Sequence, residues 1–114
     1  MAENVLVKKA DNFAYLAYKI SKSFPKDEIY GLTSQLRRSA LSVPLNIIEG
    51  FARQNKNEYR RFLAIAYGSL KETKYLLYFA KREKIIKYSD YEEILNLSEE
   101  IGKLIWSITK TLKG

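Results

Sequence analysis

Between Ile29 and Arg53 the apolar residues fall on two seams rather than one, and this limits what the chain can fold into. At 100° per residue, Ile29, Leu32, Leu36, Ala40, Val43, Ile47 and Gly50 share one side of a helix, spaced alternately by three and four. That is a core seam. Beside it Gln35, Ser39, Ser42, Asn46, Glu49 and Arg53 repeat the spacing, and all are polar. On the other flank Tyr30, Leu41, Leu45, Ile48 and Ala52 make a second, mostly apolar seam. A helix on a monomer surface needs one apolar seam. Two imply a helix that packs inside its own domain and also against another chain.

The rest of the chain supplies three more helices of matching length. In the first, Leu6, Ala10, Phe13, Ala17, Ile20 and Phe24 keep the three/four spacing, and Pro25 ends it. The second is expected from about Lys26 or Asp27, whose neighbours Asp27 and Glu28 suit a positive dipole end, to about Arg53. Pro44 inside it removes one hydrogen bond and predicts a kink, since the core seam continues through it; the alternative is two helices jointed near Val43. Asn55-Lys56-Asn57-Glu58 has the form of a capping box and opens a third helix running to about Glu83. Its core face is read as Tyr59, Phe62, Ile65, Ala66, Ser69, Leu70, Thr73, Leu76, Leu77 and Ala80. Ser89-Asp90-Tyr91-Glu92 is a second capping box, opening a fourth helix that buries Tyr91, Ile94, Leu97, Ile101, Leu104, Ile105, Ile108 and Leu112 before a basic tail. The expectation is an all-α, single-domain (residues 1–114) up-down-up-down antiparallel four-helix bundle, roughly 30–40 Å long, with the long second helix kinked near Pro44.

Composition narrows the chemistry. The 114 residues include no cysteine and no histidine. A thiolate metal site and the Glu-x-x-His pairs of di-iron bundles are therefore excluded, and so is the commonest general base. No cofactor and no metal are expected. No signal-like segment or membrane-length apolar run is visible, so a soluble cytoplasmic protein is the default. The net charge of +7 is unevenly placed: Arg37 to Lys87 carries a balance of +8 and the rest −1. A basic middle on a neutral frame points to an anionic partner, nucleic acid first; the plainer reading is a solubilising surface.

Ser42-Val43-Pro44-Leu45-Asn46-Ile47-Ile48-Glu49-Gly50 resembles the S-[IV]-P-x-N-[IV]-x-E-G core of the 23S rRNA intervening-sequence protein family. Tyr30-Gly31-Leu32-Thr33-Ser34-Gln35-Leu36-Arg37-Arg38-Ser39 is similar to its Y-G-L-x-x-Q-x-R-R-[AS]. Glu58 to Leu63 and Ala66 to Glu72 resemble its E-[FY]-x-x-F-L and A-x-G-S-x-x-E. Ile48 departs from the alanine usual there and enlarges the apolar flank. The resemblance covers most of the chain. It implies a four-helix bundle assembling as a homopentamer, and kinship with the nucleic-acid-binding accessory protein of diversity-generating retroelements. It implies no settled biochemical role.

Two sets of residues are candidates for function. Arg60, Lys71, Lys74, Lys81 and Arg82, interleaved with Tyr67, Tyr75 and Tyr78, share one sector of the third helix. They can supply phosphate contacts and stacking surfaces for RNA or DNA. Leu41, Leu45 and Ile48, with Asn46, Glu49 and Arg53, are candidates for an oligomer interface and polar seam. Asn46 is suited to fixing helix register, and Glu49 and Arg53 to an i,i+4 pair within a buried network or at the surface. Gly50 and Gly68 are expected where helices approach closely. Glu49 has no second carboxylate, histidine or nucleophile placed to work with it, so no enzyme is expected. The alternative to nucleic-acid binding is an oligomeric scaffold with protein partners, in which the three tyrosines are subunit contacts.

Overall fold

Residues 2–112 are described by the computed structural model. They form α1 (Ala2–Ser21), a short 3-10 turn (Lys26–Glu28), α2 (Leu32–Ala52), α3 (Lys56–Arg82) and α4 (Tyr88–Leu112), and no strand occurs among them. Lys113 of the expected basic tail lies outside the described residues. Each helix packs on two neighbours in the cyclic order α1–α2–α3–α4, with α2 and α3 in the most extensive contact. Ser39 meets Thr73 and Ser42 meets Ser69; Lys74 meets Glu99 and Lys81 meets Tyr91. Residue numbers thus rise on one helix as they fall on the next, which makes the bundle antiparallel and up-down-up-down. It measures 46 × 24 × 18 Å.

The core follows the three/four spacing closely. Leu6, Ala10, Phe13, Ala17, Ile20 and Phe24 are all buried, and on α2 so are Leu32, Leu36, Ala40, Val43, Ile47 and Gly50. On α3 the buried stripe is rotated from the expected one. Leu63 is fully buried, while Ile65 is exposed and Ser69 and Leu76 are half-buried. The cause is the polar contact line with α2, which puts Ser69 at the helix edge and turns Ile65 outward. On α4, Ser98 is buried within the stripe and donates to the Leu95 carbonyl at 2.6 Å, whereas Leu97, Leu104 and Leu112 sit half-buried against the core.

Helix ends differ from the expected ones where side chains compete for the backbone. The first helix tightens before Pro25: the N–H groups of Lys22, Ser23 and Phe24 each donate three residues back. The second helix starts at Leu32, not near Lys26, because the 3-10 turn intervenes and Gly31 takes a non-helical conformation. The Glu28 carboxylate then accepts from the Leu32 N–H at 3.3 Å, serving one of the unpaired donors of the first turn. Ile29 and Tyr30 therefore leave the seams and are 45% and 95% exposed. α2 runs unbroken through Pro44, whose ring is buried. Asn55 caps α3 as expected, accepting from the Glu58 N–H at 2.9 Å. The Ser89 box does not form. α4 begins one residue earlier, at Tyr88, where the neighbouring Glu92 one turn on raises the pKa of the tyrosine hydroxyl. α3 ends in a Schellman arrangement: Ile85 N–H donates to the Ala80 carbonyl and Lys84 N–H to the Lys81 carbonyl, with Lys84 at φ 60°.

Candidate nucleic-acid interface

The sector predicted from α3 does not form one flat face. Arg60, Ala64, Tyr67, Lys71 and Lys74 line a groove of about 540 Å³ between α3 and α4. Tyr75 turns away from it, with its ring 6.5 Å from both Tyr78 and Phe79. Lys81 lies over the rings of Tyr88 and Tyr91, at 5.8 and 4.9 Å from their centroids, and Arg82 lies 5.9 Å from that of Tyr78.

The cations differ in what holds them. Lys74 pairs with Glu99 of α4. That hydrogen bond, helped by the charge of Lys74 and then of Lys71 and Lys103, holds the Glu99 carboxyl below the ordinary carboxylate range against a smaller desolvation effect. Arg60 donates to the Asn57 side chain at 3.3 Å. Lys71 sits 5.3 Å from the Tyr67 ring centroid. Among the described residues, none of Arg60, Lys71, Lys81, Arg82 and Lys103 has a carboxylate at ion-pair distance. These are the cations able to exchange counterions for phosphates.

Of the α4 wall only Ile105 is expected from the sequence; Ser98, Glu99, Gly102, Lys103, Trp106 and Thr109 are not among the candidates. Trp106 is 64% exposed, and Lys110 lies 4.9 Å from its ring centroid. Their signal was present in the chain. Ser98, Gly102, Trp106 and Thr109 follow helical spacing along one edge of α4, beside the core seam. The cation and aromatic interleaving legible in the sequence lies on α3, and this edge of α4 adds to it only where the two helices pack.

The interface candidates divide similarly. Leu41, Leu45 and Ile48 are 54%, 55% and 50% exposed, and Ala52 is exposed with them. The second seam is thus bare in the single chain. The polar seam faces α3 for half its length. Ser42 and Ser69 share a hydroxyl–hydroxyl bond at 2.8 Å, and Thr73 donates to Ser39 at the same distance. Asn46 is half-buried and donates to the carbonyl and hydroxyl of Ser42, one turn back in its own helix, at 2.8 and 2.9 Å. It reaches α3 only through Ser42. Glu49 and Arg53 form an exposed i,i+4 pair at 3.0 Å, outside this buried line. Gly50 packs directly on Phe62 and Tyr59, whereas a side-chain carbon at Gly68 would meet nothing within 4 Å. Close approach thus explains Gly50 and, within one chain, not Gly68.

Among the described residues, no group of three or more His, Cys, Asp or Glu could hold a metal, and no helix is long and apolar enough to cross a membrane. A search of curated proteins finds no match. Among solved structures, the chain is similar to a protein of unknown function from the S23 ribosomal protein family of Bacteroides thetaiotaomicron. The identity is 32%, the TM-score 0.89, and the likeness covers 96% of this chain and 99% of that one. The family model described as 23S rRNA-intervening sequence protein matches residues 2–107. With the same bundle, and with motif residues seated at Gly50, Ser42 and Ser69 where the helices meet, the chain belongs to the 23S rRNA-intervening sequence protein family.

Proposed function

We propose that this protein is a non-catalytic, oligomeric nucleic-acid-binding or accessory protein that engages RNA or DNA mainly through the backbone. The observation that carries the reading is the set of cations without carboxylate partners among the described residues, Arg60, Lys71, Lys81, Arg82 and Lys103, interleaved with exposed Tyr67, Tyr75, Tyr78 and Trp106 along α3 and α4. Phosphate contacts from such cations are sequence-independent and release counterions, so binding weakens steeply with salt. The aromatic rings add sequence-tolerant stacking. Assembly rests on the bare Leu41, Leu45 and Ile48 stripe, an apolar surface that a second copy would cover, with the homopentamer implied by the resemblance as the expected closure. A ring repeats the binding face around its circumference, so weak single sites gain avidity.

The test is binding of single- and double-stranded RNA and DNA over a salt series. Lys71→Glu and Arg82→Glu should each weaken all probes and lower the salt slope by about one. Lys74→Glu is a poorer probe, since it also places two carboxylates together with Glu99. Absence of binding at about 50 mM salt, where such contacts are strong, leaves the scaffold reading, for which the exposed stripe is the supporting observation. Sedimentation of Ile48→Lys checks the assembly: the expected result is dissociation with helical circular dichroism unchanged.

A further inference from the structure

The groove between α3 and α4 is better furnished than backbone binding requires. Its rim carries Arg60, Lys71, Lys74 and Lys103 against one carboxylate, Glu99, so its occupant is anionic. Its walls are aromatic, with Tyr67 on α3 and Trp106 on α4. Its floor is kept open by a glycine that the chain's own packing does not demand. A side-chain carbon at Gly102 would lie 3.8 Å from Leu70 Cδ2 and from Tyr67 Cε1, which is ordinary contact. Glycine inside a helix nevertheless costs about 1 kcal/mol relative to alanine. Glycine here leaves Leu70 and Tyr67, both of which line the groove, without a side chain from position 102 packed on them.

We propose that this groove is a stacking subsite for one unpaired base of a single-stranded nucleic acid, with the base on Trp106 and its phosphates at Lys71 and Lys103. The inference rests on the nucleic-acid reading above and adds to it a preferred strand state and a location. The volume of about 540 Å³ lies in the range of small-ligand sites, about 300–1,000 Å³. A docked peptide helix, about 10 Å across, would fill it in little more than one turn, so a flat aromatic anion fits better than a partner helix. A duplex keeps its bases stacked on each other and cannot place one here, whereas it can still touch the rim through its phosphates.

Trp106 is the single tryptophan of the chain, so its emission reports the groove directly. The experiment titrates the whole protein with a ten-nucleotide single strand, with the duplex of that sequence and with an acidic helical peptide. The expected result is that the single strand quenches Trp106 and the duplex binds without quenching. Gly102→Leu, which fills the floor, should abolish the quenching and weaken single-strand binding about 5- to 100-fold while leaving duplex binding unchanged. Trp106→Ala, an exposed position, removes the fluorescent reporter and is read instead by the anisotropy of a labelled strand; it should give the same selective loss of single-strand affinity and covers the case in which Gly102→Leu does not fold. Single-strand binding without quenching, equal affinities for wild type and both variants, or quenching by the peptide alone would each overturn the groove proposal. No binding of either nucleic acid overturns the functional reading itself, an outcome separable because it does not depend on the variants.

Discussion

Gly50→Ala should open the bundle at its closest contact. A carbon added at Gly50 would stand 2.6 Å from Phe62 Cβ and 3.2 Å from Tyr59 Cδ1. Carbon pairs rest at about 3.5–4.0 Å, so a gap of about 1 Å has to open. Phe62 Cβ is one bond from the α3 backbone, and no rotamer moves it; α3 itself must shift. Overpacking of this kind costs about 1–3 kcal/mol. Alanine returns about 0.8–1.0 kcal/mol through helix propensity. The shift also pulls on the Ser42–Ser69 and Ser39–Thr73 bonds, both 2.8 Å and on the same contact line, each worth about 0.5–1.5 kcal/mol. The net expectation is a loss of about 1–3 kcal/mol, or a Tm lower by roughly 4 °C per kcal/mol for a chain of this size. The assay is thermal and urea unfolding by circular dichroism at one fixed protein concentration, because assembly makes stability concentration-dependent. Gly68→Ala is the internal control. Nothing lies near its new carbon, so propensity alone acts, raising stability by up to about 1 kcal/mol. If Gly50→Ala matched Gly68→Ala in sign, the close-packing argument would be refuted.

Three further outcomes are expected. Thr73→Val keeps the shape of a fully buried side chain and removes its hydroxyl contacts to Ser39 and to the Ser69 carbonyl; urea unfolding should show a loss of about 1 kcal/mol, small because Ser39 retains the Leu36 carbonyl. Lys84→Gly relieves a left-handed residue at the α3 terminus and should raise stability by about 1 kcal/mol, read from the same curves. Glu99→Gln removes a carboxyl whose pKa is lowered by Lys74, so its contribution exists above the unfolded carboxylate value and fades as pH falls through the folded one. The variant should be less stable at neutral pH by about 0.2–1 kcal/mol, the range for a half-exposed pair, and the difference should close below about pH 4.

The sequence alone determined the helices, the core seams of α1 and α2, and the antiparallel order. These rest on periodicity, on the Asn55 cap and on short connections, all local properties of the chain. The bare second seam was legible for the same reason: Leu41, Leu45 and Ile48 are placed by helix geometry, and no other helix of the chain covers them. Positions set by competition between neighbours were not legible. Glu28 captures the start of α2 through a side chain, which moves Ile29 and Tyr30 out of the seams. The serine and threonine line between α2 and α3 rotates Leu63 inward and Ile65 outward. Gly50 and Gly68 look alike in sequence, yet only Gly50 has a helix against it, because contact depends on which helix lies opposite. The groove is tertiary in the same sense. Trp106 and Lys103 lie more than thirty residues from Tyr67 and Lys71, and only the packing of α4 on α3 makes one site of them.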